Sequence, residues 1–271
     1  MPWLVALSLA LAAWLAPAGP VQAGSISLST TVSASLSGPT LRVEVVLVNQ
    51  GDEAARDLSL VLEAAGARVE APGPTSLPPR EPWRASLALP LGPDQPGTYA
   101  ALVRVRFHDL NGYAFSSLAH GLFHRQAPTQ AGVTLQGLAS RVADQGVVRF
   151  ELANSDPIAH TVSLRAAGPE ELALAEPPAR LELAPGSRRS LDLSARNLAA
   201  LAGASYPVLL ILEYDHHGRR HSAVGVAPVT VQARPDLVRA AVPYLYALAA
   251  LLVAAMLGLQ LRARRAAGRW S

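Results

Sequence analysis

The chain aligns with itself. Leu41 to Gly66, LRVEVVLVNQGDEAARDLSLVLEAAG, and Val147 to Gly168, VVRFELANSDPIAHTVSLRAAG, follow one plan. In each, an alternating run ends at an asparagine (Asn49, Asn154). A polar turn follows, then a run with a Ser-Leu pair (Ser59-Leu60, Ser163-Leu164), then Ala-Ala-Gly. Further on, LPPREPWRASLAL matches LAPGSRRSLDL, and PGTYAALVRVRFHDLNG matches GASYPVLLILEYDHHG. Matched positions stay about 105 residues apart, a domain's length, so the period marks duplication of a whole domain rather than a solenoid unit. Within each copy, short alternating runs are broken by Gly, Pro, Asn and Asp every ~8–12 residues, the pattern of an all-β fold. The expectation is two tandem β-sandwiches, over 24–128 and 129–234, with no helix of ordinary length inside them.

The two ends differ in kind. Residues 1–23, MPWLVALSLALAAWLAPAGPVQA, form an apolar run broken at Pro17 and ending Val21-Gln22-Ala23. Small side chains at the −3 and −1 positions fit a signal-peptidase site, with Gly24 as the mature start. No Arg or Lys precedes the run, a departure from the usual pattern, and the competing reading is an uncleaved anchor. Ala240 to Leu261, AAVPYLYALAALLVAAMLGLQL, carries no charge. At 1.5 Å per residue it is long enough for a hydrocarbon core of ~30 Å. Tyr244 and Tyr246 lie near its start, Pro243 in its first turn, and Arg262, Arg264, Arg265 and Arg269 follow it. The pattern predicts a linker at 235–239, a single transmembrane helix over 240–261 and an Arg-rich cytoplasmic tail over 262–271. The sandwiches then lie outside a bacterial cytoplasmic membrane, because flanking positive charge stays inside. A buried core helix is the competing reading.

Composition removes several function classes. The absence of cysteine excludes disulfides, thiol catalysis and iron–sulfur ligation. The absence of lysine excludes Schiff-base chemistry and a P-loop lysine. Four of the 23 arginines sit in the tail, and the other 19 face 20 acidic residues, so the segment before the helix is near neutral and no nucleic-acid groove is indicated.

The strand order resembles the immunoglobulin-like (Ig-like) sandwiches of the bacterial envelope. The Asn-ended strands, the Pro-Gly turn before Tyr99 and the aromatic-Asp-x-x-Gly segments carry the likeness. It is similar to the CARDB group (cell adhesion related domain found in bacteria) and to the Ig-like domain attached to bacterial alpha-galactosidases. The resemblance covers both repeats and neither end. It implies an extracytoplasmic binding or spacer module rather than an activity, with Tyr99 and Tyr206 as the corner tyrosines of Ig-like folds.

Asp109-x-x-Gly112 and Asp215-x-x-Gly218 read as turns, Asp opening each and Gly supplying the positive φ. Asp215, His216, His217 and His221 offer zinc or copper ligands. However, His216 and His217 are adjacent and diverge in extended chain, and the first repeat has Leu110, Asn111 and Phe115 at the matching positions. A solvated turn is favoured, with a metal site and a pH-sensitive contact as alternatives. His120 and His124 read as strand residues, Trp83 as a ring over a sandwich end, and Glu170-Glu171 as loop carboxylates without a partner. No nucleophile elbow, phosphate loop or Ca²⁺ loop occurs. The function expected is a non-enzymatic envelope module that binds or positions a protein partner, with a carbohydrate-binding module second and an enzyme third. No cofactor is expected. The repeats diverge most in their turns, and loops on a rigid scaffold carry specificity. The candidate binding loop is therefore Asp215, His216, His217, Arg219, Arg220 and His221, with the two arginines favouring an acidic partner.

Overall fold

The structure, a computed structural model, describes residues 25–126, 131–233 and 237–267. The expected signal peptide lies outside the described residues. The first sandwich contains β1 (Leu28–Ser37), β2 (Thr40–Asn49), β3 (Ala55–Ala64), β4 (Ala67–Pro72), β5 (Ser76–Leu77), β6 (Pro82–Pro90), β7 (Gly97–His108) and β8 (Ala114–Arg125). One sheet is ordered β1-β2-β6, and the facing one β4-β3-β7-β8. The second sandwich contains β9 (Val133–Gly137), β10 (Ser140–Val142), β11 (Gln145–Asn154), β12 (His160–Ala167), β13 (Leu172–Leu174), β14 (Arg180–Leu183), β15 (Arg188–Asn197), β16 (Ser205–His216) and β17 (Arg219–Val231). Its sheets are β13-β15-β11-β9 and β14-β12-β16-β17, with β10 parallel to β17. The main strands of the two copies pair in the same order, an Ig-like arrangement.

Alternation builds each core. Leu41, Val43, Val45 and Leu47 of β2 point inward, with Arg42 and Glu44 outward; Val148, Phe150 and Leu152 of β11 repeat this around Arg149 and Glu151. The strand-ending asparagines are buried ties. Asn49 Nδ2 donates to the Glu53 and Leu77 carbonyls, and its Oδ1 accepts from Gly51 N–H. Asn154 Nδ2 donates to Ile158, Leu183 and Ala184, and its Oδ1 accepts from Asp156 N–H. Both corner tyrosines are in place. The Tyr99 hydroxyl donates to Gln95 O at 2.7 Å, and the Tyr206 hydroxyl accepts from Leu201 N–H at 3.0 Å.

β7 and β16 break the alternation. Gly97 to Val103 is buried without interruption, and so is Val208 to Leu212. A strand buried on both faces needs cover on both. Here each sandwich covers the other. Ala100, Leu102 and Leu118 on the outer face of β7 and β8 pack with Leu209 and Ile211 on the outer face of β16. Ala167 and Val224 close the edge of this third apolar cluster. The result is four stacked sheets rather than two beads on a string. At one end a single parallel pairing, Arg220 with Gly97, joins the facing sheets. Gly97 has φ 144°, and a Cβ there would run into the Arg220 backbone, so only glycine fits.

Beyond β17, α1 (Leu237–Ala267) is one helix of 31 residues with Pro243 inside it. The helix also takes in 237–239 of the expected linker and 262–267 of the expected tail. Among the described residues no helix is long and apolar enough to cross a membrane. Side chains of α1 are described without a break only over 241–256. The span expected over 240–261 therefore stays a reading of the sequence.

Candidate functional site

The β16–β17 hairpin carries all six candidate residues. Its turn is His217-Gly218, with φ of 50° and 68°, the two positive values of a type I′ connection. The aspartate expected to open this turn does not. Asp215 lies on β16 opposite Arg220, and its Oδ1 accepts from Arg220 Nε at 2.6 Å. In the first copy the expectation holds: Asp109 Oδ1 accepts from the Asn111 and Tyr113 amides, and Gly112 has φ 81°. The second hairpin is one residue shorter between paired rings, 214 to 221 against 107 to 115, so its strands continue to the turn. For the same reason His216 and His217 do not diverge. The left-handed backbone at His217 brings the two ring centroids to 3.9 Å.

The hairpin is not a free loop. The Arg220 amide donates to Pro96 O of the first sandwich at 2.9 Å, and its guanidinium lies over the Tyr99 ring at 6.0 Å from the centroid. Arg220 also faces Glu213 at 3.6 Å. Burial and the neighbouring Asp94 charge push the Tyr99 phenol up to about 12. His221 is buried and stacks on Tyr214 across the strand pair, centroids 4.8 Å apart. Only Asp215, His217 and Arg219 of the six are well exposed, and His216 is half-buried.

Three imidazoles close this end of the second core. His160, at the start of β12, is buried and lies 4.7 Å from Tyr214 and 5.2 Å from His216, centroid to centroid. His160 Nε2 is 2.6 Å from Asp156 Oδ2. Burial, then the neighbouring His216, holds His221 below the usual histidine range, and its Nδ1 is buried without a hydrogen-bond partner. The Tyr214 hydroxyl accepts from the Gly132 and Val133 amides. The first copy has stacked Phe107 and Phe115 in place of Tyr214 and His221. Thus the fold needs rings here, and the charge-capable ones belong to the second copy. Among the described residues no group of three or more His, Cys, Asp or Glu is placed to hold a metal ion.

Glu170 and Glu171, expected to lack a partner, are the polar centre of the domain seam. Glu171 is 3 % exposed and accepts from the Ser116 amide and hydroxyl, both at 2.7 Å. The Ser116 hydroxyl in turn accepts from the Glu170 amide. The Glu170 carboxylate accepts from Arg106 Nε at 2.8 Å, and Arg104 Nη1 donates to Gly168 O. Sequence reasoning missed this site because its halves lie 55 residues apart in different copies. The uninterrupted apolar runs of β7 and β16 were the one available signal. His120 and His124 are on β8 as expected, and Trp83 packs half-buried against the first core. A shallow concavity of about 610 Å³ on the outer sheet is lined by Val147, Leu174, Ser194 and Arg196 among others.

No family model and no curated protein matches the chain. Among solved structures it is similar to E. coli alpha-2-macroglobulin (12 % identity, TM-score 0.31), covering 76 % of this chain and 17 % of that one. It is also similar to red sea bream transglutaminase (14 %, TM-score 0.27; 77 % and 31 %) and to the putative ApaA protein of Bordetella pertussis (18 %, TM-score 0.28; 38 % and 95 %). The chain thus spans less than a third of the first two. The Ig-like arrangement is given by the strand order of the two copies.

Proposed function

We propose that this chain is a non-enzymatic, membrane-anchored envelope module that presents a rigid surface to a protein partner outside the cytoplasmic membrane. The seam is the observation that carries the reading. A buried apolar cluster and the Ser116–Glu171 bonds hold two sandwiches as one body. A scaffold that positions a partner needs fixed geometry, and loops on such a scaffold supply specificity. Packing side by side gives the body the length of one sandwich, ~40 Å for strands of 12 residues at ~3.3 Å each. The resemblance to CARDB domains is in keeping with an adhesive or spacer role. Anchoring is supported by α1, where Tyr244, Leu245, Tyr246, Leu248, Leu251, Leu252, Val253 and Met256 are all exposed. A helix apolar on every side has no face suited to water, and its uncharged run continues in sequence to Leu261.

The test uses the full chain in membranes. Protease added to spheroplasts should digest the sandwiches and spare the tail; their survival would sink the topology. Detergent extracts should then yield a protein partner on the wild type that is lost on Ile211→Asp, which splits the seam while sparing both cores. Equal recovery on both proteins would remove the scaffold reading. Enrichment of neutral glycans without a protein would favour a carbohydrate module, although Trp83, the ring a sugar would stack on, is packed against the core.

A further inference from the structure

The two copies differ sharply at one corner. Between β6 and β7 the first copy reads LGPDQPG, with Leu91 buried. Between β15 and β16 the second copy reads LAALAGA over 198–204, with no charge; Leu198 is 56 % exposed and Leu201 52 %. Single exposed leucines are ordinary on a protein surface. These two are held outward by a loop that is rigid. The Leu198 and Ala199 amides donate to Glu171 O. The Asn197 side chain bonds both backbone groups of Ala200, which is itself buried, and Leu201 N–H is fixed on the Tyr206 hydroxyl.

This corner is also where the chain leaves the sandwich. Gly203 N–H donates to Val231 O at 2.7 Å, and Val231 N–H to Ala204 O at 2.9 Å. α1 begins at Leu237, six residues on, so its start lies within ~20 Å of the corner. The first copy adds to the same end. β7 and β17 run parallel from the Gly97–Arg220 pairing, and Ser116 of β8 meets Glu171, whose carbonyl holds Leu198. The β7–β8 turn at that end carries Leu110, 56 % exposed, and Tyr113, 68 % exposed. The polar corner of the first copy lies at the opposite end, beside Arg220.

We propose that Leu198 and Leu201, with Leu110 and Tyr113 beside them, rest in the headgroup–acyl boundary of the membrane that holds α1. The contact seats the four-sheet body on the bilayer and sets its tilt. This rests on the anchoring reading above. An apolar loop in the interface gains from burying its side chains by ~5–10 Å, and a tyrosine is suited to that depth. With no charge over 198–205, the Leu198–Leu201 part of the contact should be insensitive to salt, while Asp109 and Glu53 beside Leu110 disfavour anionic headgroups there.

The chain has no cysteine, so single-cysteine variants of the full protein can be labelled at one site each. An environment-sensitive fluorophore is placed at Leu198→Cys, Leu201→Cys, Leu252→Cys in α1, and Asp94→Cys in the first corner, in phosphatidylcholine vesicles with or without nitroxide lipids. Probes at 198 and 201 should be blue-shifted and quenched by shallow nitroxides, and the probe at 252 by deep ones, while 94 stays unquenched. Quenching at 198 and 201 should persist in 1 M salt, about sevenfold above physiological ionic strength. If 252 is quenched and 198 and 201 are not, the seating is wrong and anchoring stands. If 252 is not quenched, both fall. A quench at 198 and 201 that salt abolishes assigns the contact to charges and overturns the apolar seating.

Discussion

Ser116→Ala probes the seam at its polar centre. The substitution removes a hydroxyl that donates to Glu171 Oε2 at 2.7 Å and accepts from the Glu170 amide at 2.7 Å. Ser116 and Glu171 are 4 % and 3 % exposed, so water cannot replace the first bond without opening the interface. A hydrogen bond to a charged group contributes ~1.5–3 kcal/mol, and a buried amide left unpaired costs ~1–3 kcal/mol. The Glu170 amide is only part-buried, which recovers some of the second term. The expected loss is about 3 kcal/mol, or ~6–12 °C in Tm for a folded unit of some 200 residues. Calorimetry on the full chain in detergent should show one cooperative transition for both sandwiches, shifted down in the variant. Glu171→Ala should cost more, because the Ser116 amide then also loses its acceptor. The double variant should fall short of the sum by ~1.5–3 kcal/mol, since neighbours in one network are not additive. Strict additivity, or two separate wild-type transitions, would refute the coupling of the two sandwiches.

Two further outcomes follow from the second copy. Because burial holds the folded-state pKa of His221 below its unfolded value, the unfolded chain takes up more protons as pH falls through ~6.5. Its contribution to stability is therefore complete above that value and declines below it; Tm measured from pH 7.5 to 5 should drop less for His221→Phe, which copies Phe115, and an unchanged slope would exclude His221 as the sensor. Asn154→Ala strips the donors from three carbonyls and the acceptor from Asp156 N–H, a loss of ~2–4 kcal/mol. Amide exchange should quicken at Ile158 to His160 before the rest of the sandwich, and uniform exchange across β12 would argue against a local tie.

The alternation of apolar residues, together with the duplication, was enough to specify two β-sandwiches, because a strand with one wet face must alternate and a copied core must copy its pattern. The asparagines were legible as repeated strand ends and the tyrosines as repeated turn residues; the tyrosine hydroxyls act on backbone 4 and 5 residues away, whereas the asparagines reach carbonyls 28 and 29 residues away within their own copies. The apolar segment after Arg239 was legible as composition, since charge-free length depends on no partner. What the sequence did not determine is where two surfaces meet. Glu171 reads as a loop acid until Ser116 of the other copy buries it. Arg220 and His221 read as a free basic turn until one reaches the Tyr99 ring and the other stacks under Tyr214. The Ser116–Glu171 and Tyr99–Arg220 contacts join residues about 55 and 120 positions apart, and no local pattern encodes which distant face will supply the missing cover; the Tyr214–His221 stack is local but depends on the hairpin register that sets the two rings opposite each other. The continuous apolar runs of β7 and β16 announce only that both faces are covered; the packing of one sandwich on the other decides by what.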